Sequence, residues 1–331
     1  MKLQVIISLF VTLSSFVSSA SLPGQYGLYQ KKSYLYRRQN MTGGGAGGNA
    51  SNGTSGGAGG SSGSGSVPII VVGGPSNVTS GQTVSNLTGV LNTTQLYSIS
   101  SQVNKSLTSS SSSNGVVIVA SKGSLESIAF FLAVTTNTNK TIVVCDDYQL
   151  GQIVAKSPKA QGRGPLIVGK KKIIYSGTLP PWGVPDGVIG DNNEAYWFTN
   201  ACPPLLTAWN STLRTQYTNF TTVNSSSHAV VPIVYEEGIA PSLLQSVSSF
   251  IQGLVVISSG SNSTSMDQSV SIPIVYTQPK GKPISFISNS TIPKNAIAGG
   301  YLSPVQAQIL LSVAVSNGVN NTQSLKQIFP S

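Results

Sequence analysis

The sequence predicts an α/β protein of two lobes, a larger one first and a smaller one after it. Three observations carry the prediction. Gly115 to Leu132, GVVIVASKGSLESIAFFL, reads as a buried strand, a short turn and an apolar helix. Short β-branched runs alternate with helical stretches on either side of it, the pattern of a mainly parallel sheet. The pattern then restarts at His228, after a stretch rich in Pro, Gly, Asn and aromatic residues. The roughly 265 residues from Val67 onward suffice for two such lobes.

What precedes Val67 reads as processing and spacer. Lys2, the apolar run Leu3 to Val17 and then Ser18-Ser19-Ala20 make residues 1–20 a secretory signal peptide. The run is shorter than the about 20 residues a spanning helix needs, so no stable membrane anchor is expected. Residues 21–38 form a pro-segment ending at Arg37-Arg38, which resembles a dibasic maturation site of fungal secretory pathways. Residues 39–66 are Gly- and Ser-rich and cannot bury apolar surface, so they read as a flexible linker.

Maturation changes the charge argument. Losing Lys2, Lys31, Lys32, Arg37 and Arg38 takes the 19 basic residues to 14 against nine acids, a net charge of +5. The rest are scattered apart from Lys170-Lys171-Lys172, which reads as a solvated hairpin or strand edge. Nucleic acid is therefore not an expected partner.

Fourteen Asn-x-Ser/Thr sequons stand at Asn40, Asn49, Asn52, Asn77, Asn86, Asn92, Asn104, Asn139, Asn210, Asn219, Asn224, Asn262, Asn289 and Asn320. With the leader they point to an extracellular or cell-wall glycoprotein. In that oxidising setting Cys145 and Cys202 either pair, which is worth about 4 kcal/mol in the chain-entropy model, or stay as two buried thiols. Two cysteines and one histidine give no metal-site spacing, and neither metal nor cofactor is expected.

The larger lobe is placed at residues 67–179. Val67–Val72 reads as a strand running into the turn Gly73-Gly74-Pro75, and a polar stretch leads to Ser98–Leu107. Gly115–Val119 is the next strand, Ala120–Ser124 the turn, and Ser124 stands at the N-cap of the helix that follows. Thr141–Cys145 and Ile173-Ile174-Tyr175 read as further strands. Residues 180–227 read as an inter-lobe connection, and 228–331 as the smaller lobe. Its strands are Val230–Tyr235, Leu254–Ile257 and Ile272–Tyr276, and its helices Pro241–Ile251 and Ser303–Ser316.

Open α/β sheets place ligands at the carboxyl ends of their strands, so the turn Ala120–Ser124 is the first place to look for chemistry. It offers no nucleophile beside a base. Lys122 there either binds an anion, acts as a desolvated base, or is simply solvated. His228 reads as a surface linker residue. Asp146-Asp147 and Glu236-Glu237 are paired in sequence only, because neighbours on a strand face opposite ways.

At four places the chain resembles the bacterial-type (type II) L-asparaginases. Ile69–Pro75, IIVVGGP, is similar to the family's strand into its Gly-Gly-Thr nucleophile motif. Gly115–Leu132 resembles its second motif, Gly-Val-Val-Ile-Thr-His-Gly-Thr-Asp-Thr and a helix ending Phe-Phe-Leu. Ile251–Gly260 resembles the strand of its smaller lobe that ends Ser-Ala-Gly. Ala298–Phe329 is similar to its closing segment nearly residue for residue. The resemblance implies a two-lobed asparaginase-like fold, amidohydrolase ancestry, a small amino-acid-like ligand and assembly into homo-oligomers.

The departures fall on the chemistry. Pro75 stands where the family has its attacking threonine, and proline has neither hydroxyl nor backbone N–H. Lys122 and Gly123 stand at the second triad's Thr and Asp, with Val119 and Ala120 for the preceding Thr-His. The stretch from Gly74 to Ser101 is too short for the family's lid and its tyrosine, and no acid follows Asp267. By resemblance Ser101-Gln102 are the substrate-gripping pair and Lys156 the triad lysine. The expectation is a catalytically degenerate secreted glycoprotein that retains ligand binding. The alternatives are an amidohydrolase with a rebuilt site, and a purely structural wall glycoprotein.

Overall fold

The computed structural model describes residues 67–73, 78, 82–83, 87, 91–109, 114–136, 138–179, 184–199, 228–236, 241–258, 270–278 and 286–330. All belong to the second of two units of the chain, Gly65–Ser331. The expected signal peptide, pro-segment and linker lie outside the described residues. So do Pro75, Cys202 and the sequons at Asn40, Asn49, Asn52, Asn77, Asn86, Asn210, Asn219, Asn224 and Asn262.

The two-lobed α/β architecture is as expected. The larger lobe holds β1 (Ile69–Val71), β2 (Gln82–Thr83), α1 (Thr93–Ser109), β3 (Gly115–Val119), α2 (Leu125–Thr135), β4 (Thr141–Cys145), α3 (Tyr148–Lys156), β5 (Pro165–Val168), β6 (Ile173–Ser176), β7 (Pro185–Ile189) and β8 (Ala195–Trp197). The smaller holds β9 (Ile233–Tyr235), α4 (Pro241–Val247), β10 (Leu254–Ile257), β11 (Ile274–Thr277), β12 (Ile297–Ala298), α5 (Pro304–Ser316) and α6 (Thr322–Ile328). Among the described residues the larger sheet runs β2-β1-β3-β4-β5-β6-β7-β8 and the smaller β12-β11-β10-β9.

From β2 to β5 the pairing is parallel, and β3 and β4 are buried at every position. A parallel sheet covered on both faces requires such unbroken apolar runs. Side chains alternate between the faces. Val116, Ile118, Ile142 and Val144 point into one core cluster, Val117, Val119, Val143 and Cys145 into the other. The register aligns Val71, Val119, Cys145 and Val168 in one row, so four strands end level.

All of α2 is buried, because it lies between the larger sheet and α5 of the smaller lobe. One core cluster therefore runs through both lobes, from Ile118, Phe130 and Phe131 to Val255, Leu310 and Phe329. At the head of α5, Ser303 and Gln306 form a reciprocal capping box with Pro304 at the first helical position.

Two expectations need correction. The larger sheet is mixed, since β5 to β8 pair antiparallel. And β7 and β8 come from 185–197, inside the stretch expected to connect the lobes, so the sheet continues past residue 179. Gly187 reads as loop in the sequence. In the structure a Cβ there would stand 2.3 Å from Tyr196 O, so glycine is what lets the two strands meet. Lys170–Lys172 do form the expected hairpin turn, with Lys172 N donating to Gly169 O over 3.0 Å and Lys172 at φ 60°.

Candidate functional site

The row of strand ends makes a ledge, and the turn Ala120–Ser124 sits on it. Val72 N donates to Val119 O and Ala120 N to Cys145 O, both at 2.9 Å, holding the ends of β1, β3 and β4 together. Ser124 N closes the turn onto Ser121 O at 2.9 Å, and the two hydroxyls lie 2.8 Å apart. That pairing alters the helix start. Ser124 makes no side-chain cap of α2, against expectation; its backbone carbonyl instead accepts from Ile128 N and Ser127 Oγ, each at 3.0 Å. Lys122 and Gly123 are exposed at the turn's tip.

One turn into α2, buried Glu126 reaches the other lobe, where Ser303 Oγ donates to its Oε1. Ser303 Oγ also accepts from Gln306 N at 3.2 Å, and Gln306 Nε2 donates to Leu179 O at 2.9 Å. A buried carboxylate needs such partners. This link locks the ledge against the smaller lobe.

Three of the other expected site residues are elsewhere. Ser101 and Gln102 lie in the middle of α1. Neighbouring Ser100 Oγ is 3.5 Å from Thr135 Oγ1, at the far end of α2. That end is about 15 Å from the turn at 1.5 Å per residue, so the pair does not face the ledge. Lys156 is the exposed last residue of α3, about 13 Å down its axis from the ledge on the same rise. The structure thus brings neither Ser101-Gln102 nor Lys156 to Lys122 and Gly123.

The carboxylates after β4 separate as expected. Asp147 caps α3, its Oδ1 accepting from Gln149 N at 3.0 Å and Leu150 N at 3.3 Å. Asp146 Oδ1 is shielded and without a hydrogen-bond partner among the described residues. Cys145 is a buried free thiol whose Sγ donates to Ile118 O over 3.6 Å. Burial first, and the Asp146 charge after it, push the thiol up to about 12, so it stays protonated and inert.

His228 stands half-buried in irregular backbone at the start of the smaller lobe, and its ring is packed. Its ring stacks on Tyr97, with centroids 4.3 Å apart and planes at 11°, and Tyr97 meets Phe131 edge-on at 4.9 Å. Burial holds the imidazole below its ordinary value. Behind the hairpin of β7 and β8 lies a second feature the sequence did not signal. Arg163 is buried over the Trp197 ring at 4.2 Å and donates from Nε to Lys159 O at 2.7 Å. Buried Asp186 is pushed up by desolvation, which the Arg163 charge opposes. Among the described residues no three His, Cys, Asp or Glu side chains could hold a metal ion.

Of the sequons in view, Asn92, Asn139, Asn289 and Asn320 are exposed. Asn104 is half-buried, and its Nδ2 is shielded within the helix layer.

No family model matches the chain. Among solved structures, the probable cytoplasmic L-asparaginase from Campylobacter jejuni superposes with a TM-score of 0.62 over 80% of this chain and 98% of its own, at 16% identity. That likeness establishes the fold. Two proteins of Saccharomyces cerevisiae are similar in sequence. The sporulation-specific wall maturation protein is 46% identical over 89% of this chain and 93% of its own length. Protein YGP1 is 38% identical over the whole of both chains. With an asparaginase fold and relatives this similar along nearly its full length, the chain belongs to the family of these two yeast proteins.

Proposed function

We propose that this protein is a secreted, N-glycosylated component of a fungal wall that keeps the asparaginase fold without its amidohydrolase chemistry. The observation that carries the reading is the turn on the ledge. Lys122 and Gly123 occupy, by resemblance, the positions of a triad threonine and aspartate, and both are exposed at its tip. Pro75 stands by the same resemblance at the other nucleophile. Losing a nucleophile and its base forfeits several orders of magnitude in rate. The suspects for a rebuilt hydrolase, Lys122, Lys156 and Ser101, are held on separate elements rather than around one point. The name of the wall maturation relative and the exposed sequons support a place in the wall.

The test is ammonia release from L-asparagine and L-glutamine by the purified mature protein, beside a variant carrying Pro75→Thr, Lys122→Thr and Gly123→Asp. The expected result is no turnover by the natural chain. Turnover that persists through repurification and is lost in Lys122→Ala would overturn the reading.

A further inference from the structure

The chain's single histidine stands in a cleft that the turn on the ledge does not use. His228 to Val231 form one wall, and the first turn of α1, Ser127 of α2 and α5 form the others, enclosing about 350 Å3. That is room for a small ligand. The polar lining is Asn92, Thr93, Thr94, Ser127, His228, Gln308 and Ser312, and among the described residues no Lys, Arg, Asp or Glu contributes to it. An amino acid or a phosphate would find no opposite charge there, so the lining selects a neutral molecule.

Both ring nitrogens of His228 are shielded, and neither has a hydrogen-bond partner among the described residues. A neutral imidazole offers one donor and one acceptor. Stacking on Tyr97 fixes the ring in place for a ligand with hydroxyl or amide groups. Gln308 is likewise set, its Nε2 donating to Val231 O at 2.6 Å. Leu91, Leu96 and Ile309 supply apolar wall. The walls carry both polar and apolar groups, a mixture that suits the hydroxyl edge and the C–H face of a pyranose ring.

We infer that this cleft is a binding site for a neutral sugar unit, an N-acetylhexosamine or a hexose. The sugar has two available sources. Asn92 lies on the rim and begins the sequon Asn92-Thr93-Thr94. It caps α1 through its Oδ1, which accepts from Gln95 N at 2.9 Å, and so the cap does not use the Nδ2 that a glycan would take. The unit is therefore either the root of the protein's own glycan or the end of an outside polysaccharide. The site does not depend on whether the turn on the ledge is catalytic; only the first source rests on secretion.

As the only histidine, His228 gives one set of ring signals in a proton NMR spectrum of the full mature chain. For the protein's own sugar, mass spectrometry finds a glycan on Asn92. Thr94→Ala, which removes the sequon, moves the His228 signals, Thr94→Ser leaves them, and added N,N′-diacetylchitobiose restores them. For an outside sugar, that disaccharide or laminaribiose at about 10 mM, well above a millimolar dissociation constant, shifts the signals saturably. By calorimetry His228→Phe, which keeps the stack, then weakens binding about tenfold, as losing one buried hydrogen bond should. L-asparagine leaves the signals in place. The inference falls if neither removing nor adding a sugar moves them, or if L-asparagine moves them as far as the sugars do.

Discussion

The turn Ala120–Ser124 and the cleft at His228 sit one helical turn apart along α2, and they are built in opposite ways. The turn's backbone is fixed by the bond from Ala120 N to the end of β4 and by its own closure from Ser124 N to Ser121 O, while its tip, Lys122 and Gly123, is exposed. The cleft is assembled from separate stretches of chain, and its side chains carry the shielded polar atoms. Topology dictates the first place: strands that end level make a ledge in any such sheet. Side chains alone make the second. A fold therefore hands down a position for chemistry without the chemistry, and the two have to be sought separately.

The contrast can be broken first by stability. Phe131 is 1% exposed, lies edge-on to Tyr97 and sits in the core cluster that crosses both lobes. Phe131→Ala should cost about 3–5 kcal/mol, read as a lower denaturation midpoint at constant slope. Lys122→Ala, at the exposed tip of the turn, should stay within about 0.5 kcal/mol of the natural chain. Equal losses would mean the turn is as structurally committed as the cleft. The link between lobes comes next. Ser303→Ala removes the cap of α5 and the donor to Glu126, for about 1–3 kcal/mol. In a double-mutant cycle with Glu126→Gln, strong coupling is expected, and additivity would deny that the two side chains act together.

The same contrast explains what could be read in advance. Gly115–Val119 and Thr141–Cys145 were legible because a strand buried on both faces must be apolar throughout. The capping box at Ser303 and Gln306 has a local signature too. By contrast, β7 and β8 were hidden by Pro185 and Gly187, which read as loop residues. Their strand character depends on what lies opposite, and Gly187 is needed only because Tyr196 comes so near. Ser101-Gln102 misled for the converse reason, since a dipeptide match says nothing of the helix that contains it. Tyr97 and His228 are far apart in the chain, and no spacing rule joins them.

The smallest effect is a pH dependence, and it isolates the cleft from the turn. Burial lowers the His228 imidazole below its ordinary 6.5. Between the lowered value and 6.5 the unfolded chain holds a proton that the folded chain does not. Stability therefore rises with pH through that window, is complete above 6.5, and is lost as pH falls toward the folded value. Among the described residues no charged side chain lines the cleft to offset this. His228→Phe should keep the stack on Tyr97 and flatten the denaturation midpoint across the window. Lys122→Ala should leave the slope as it was. A slope that survives His228→Phe would assign it to carboxylates instead, and the His228 ring would then not be held as the stack and its shielded nitrogens imply.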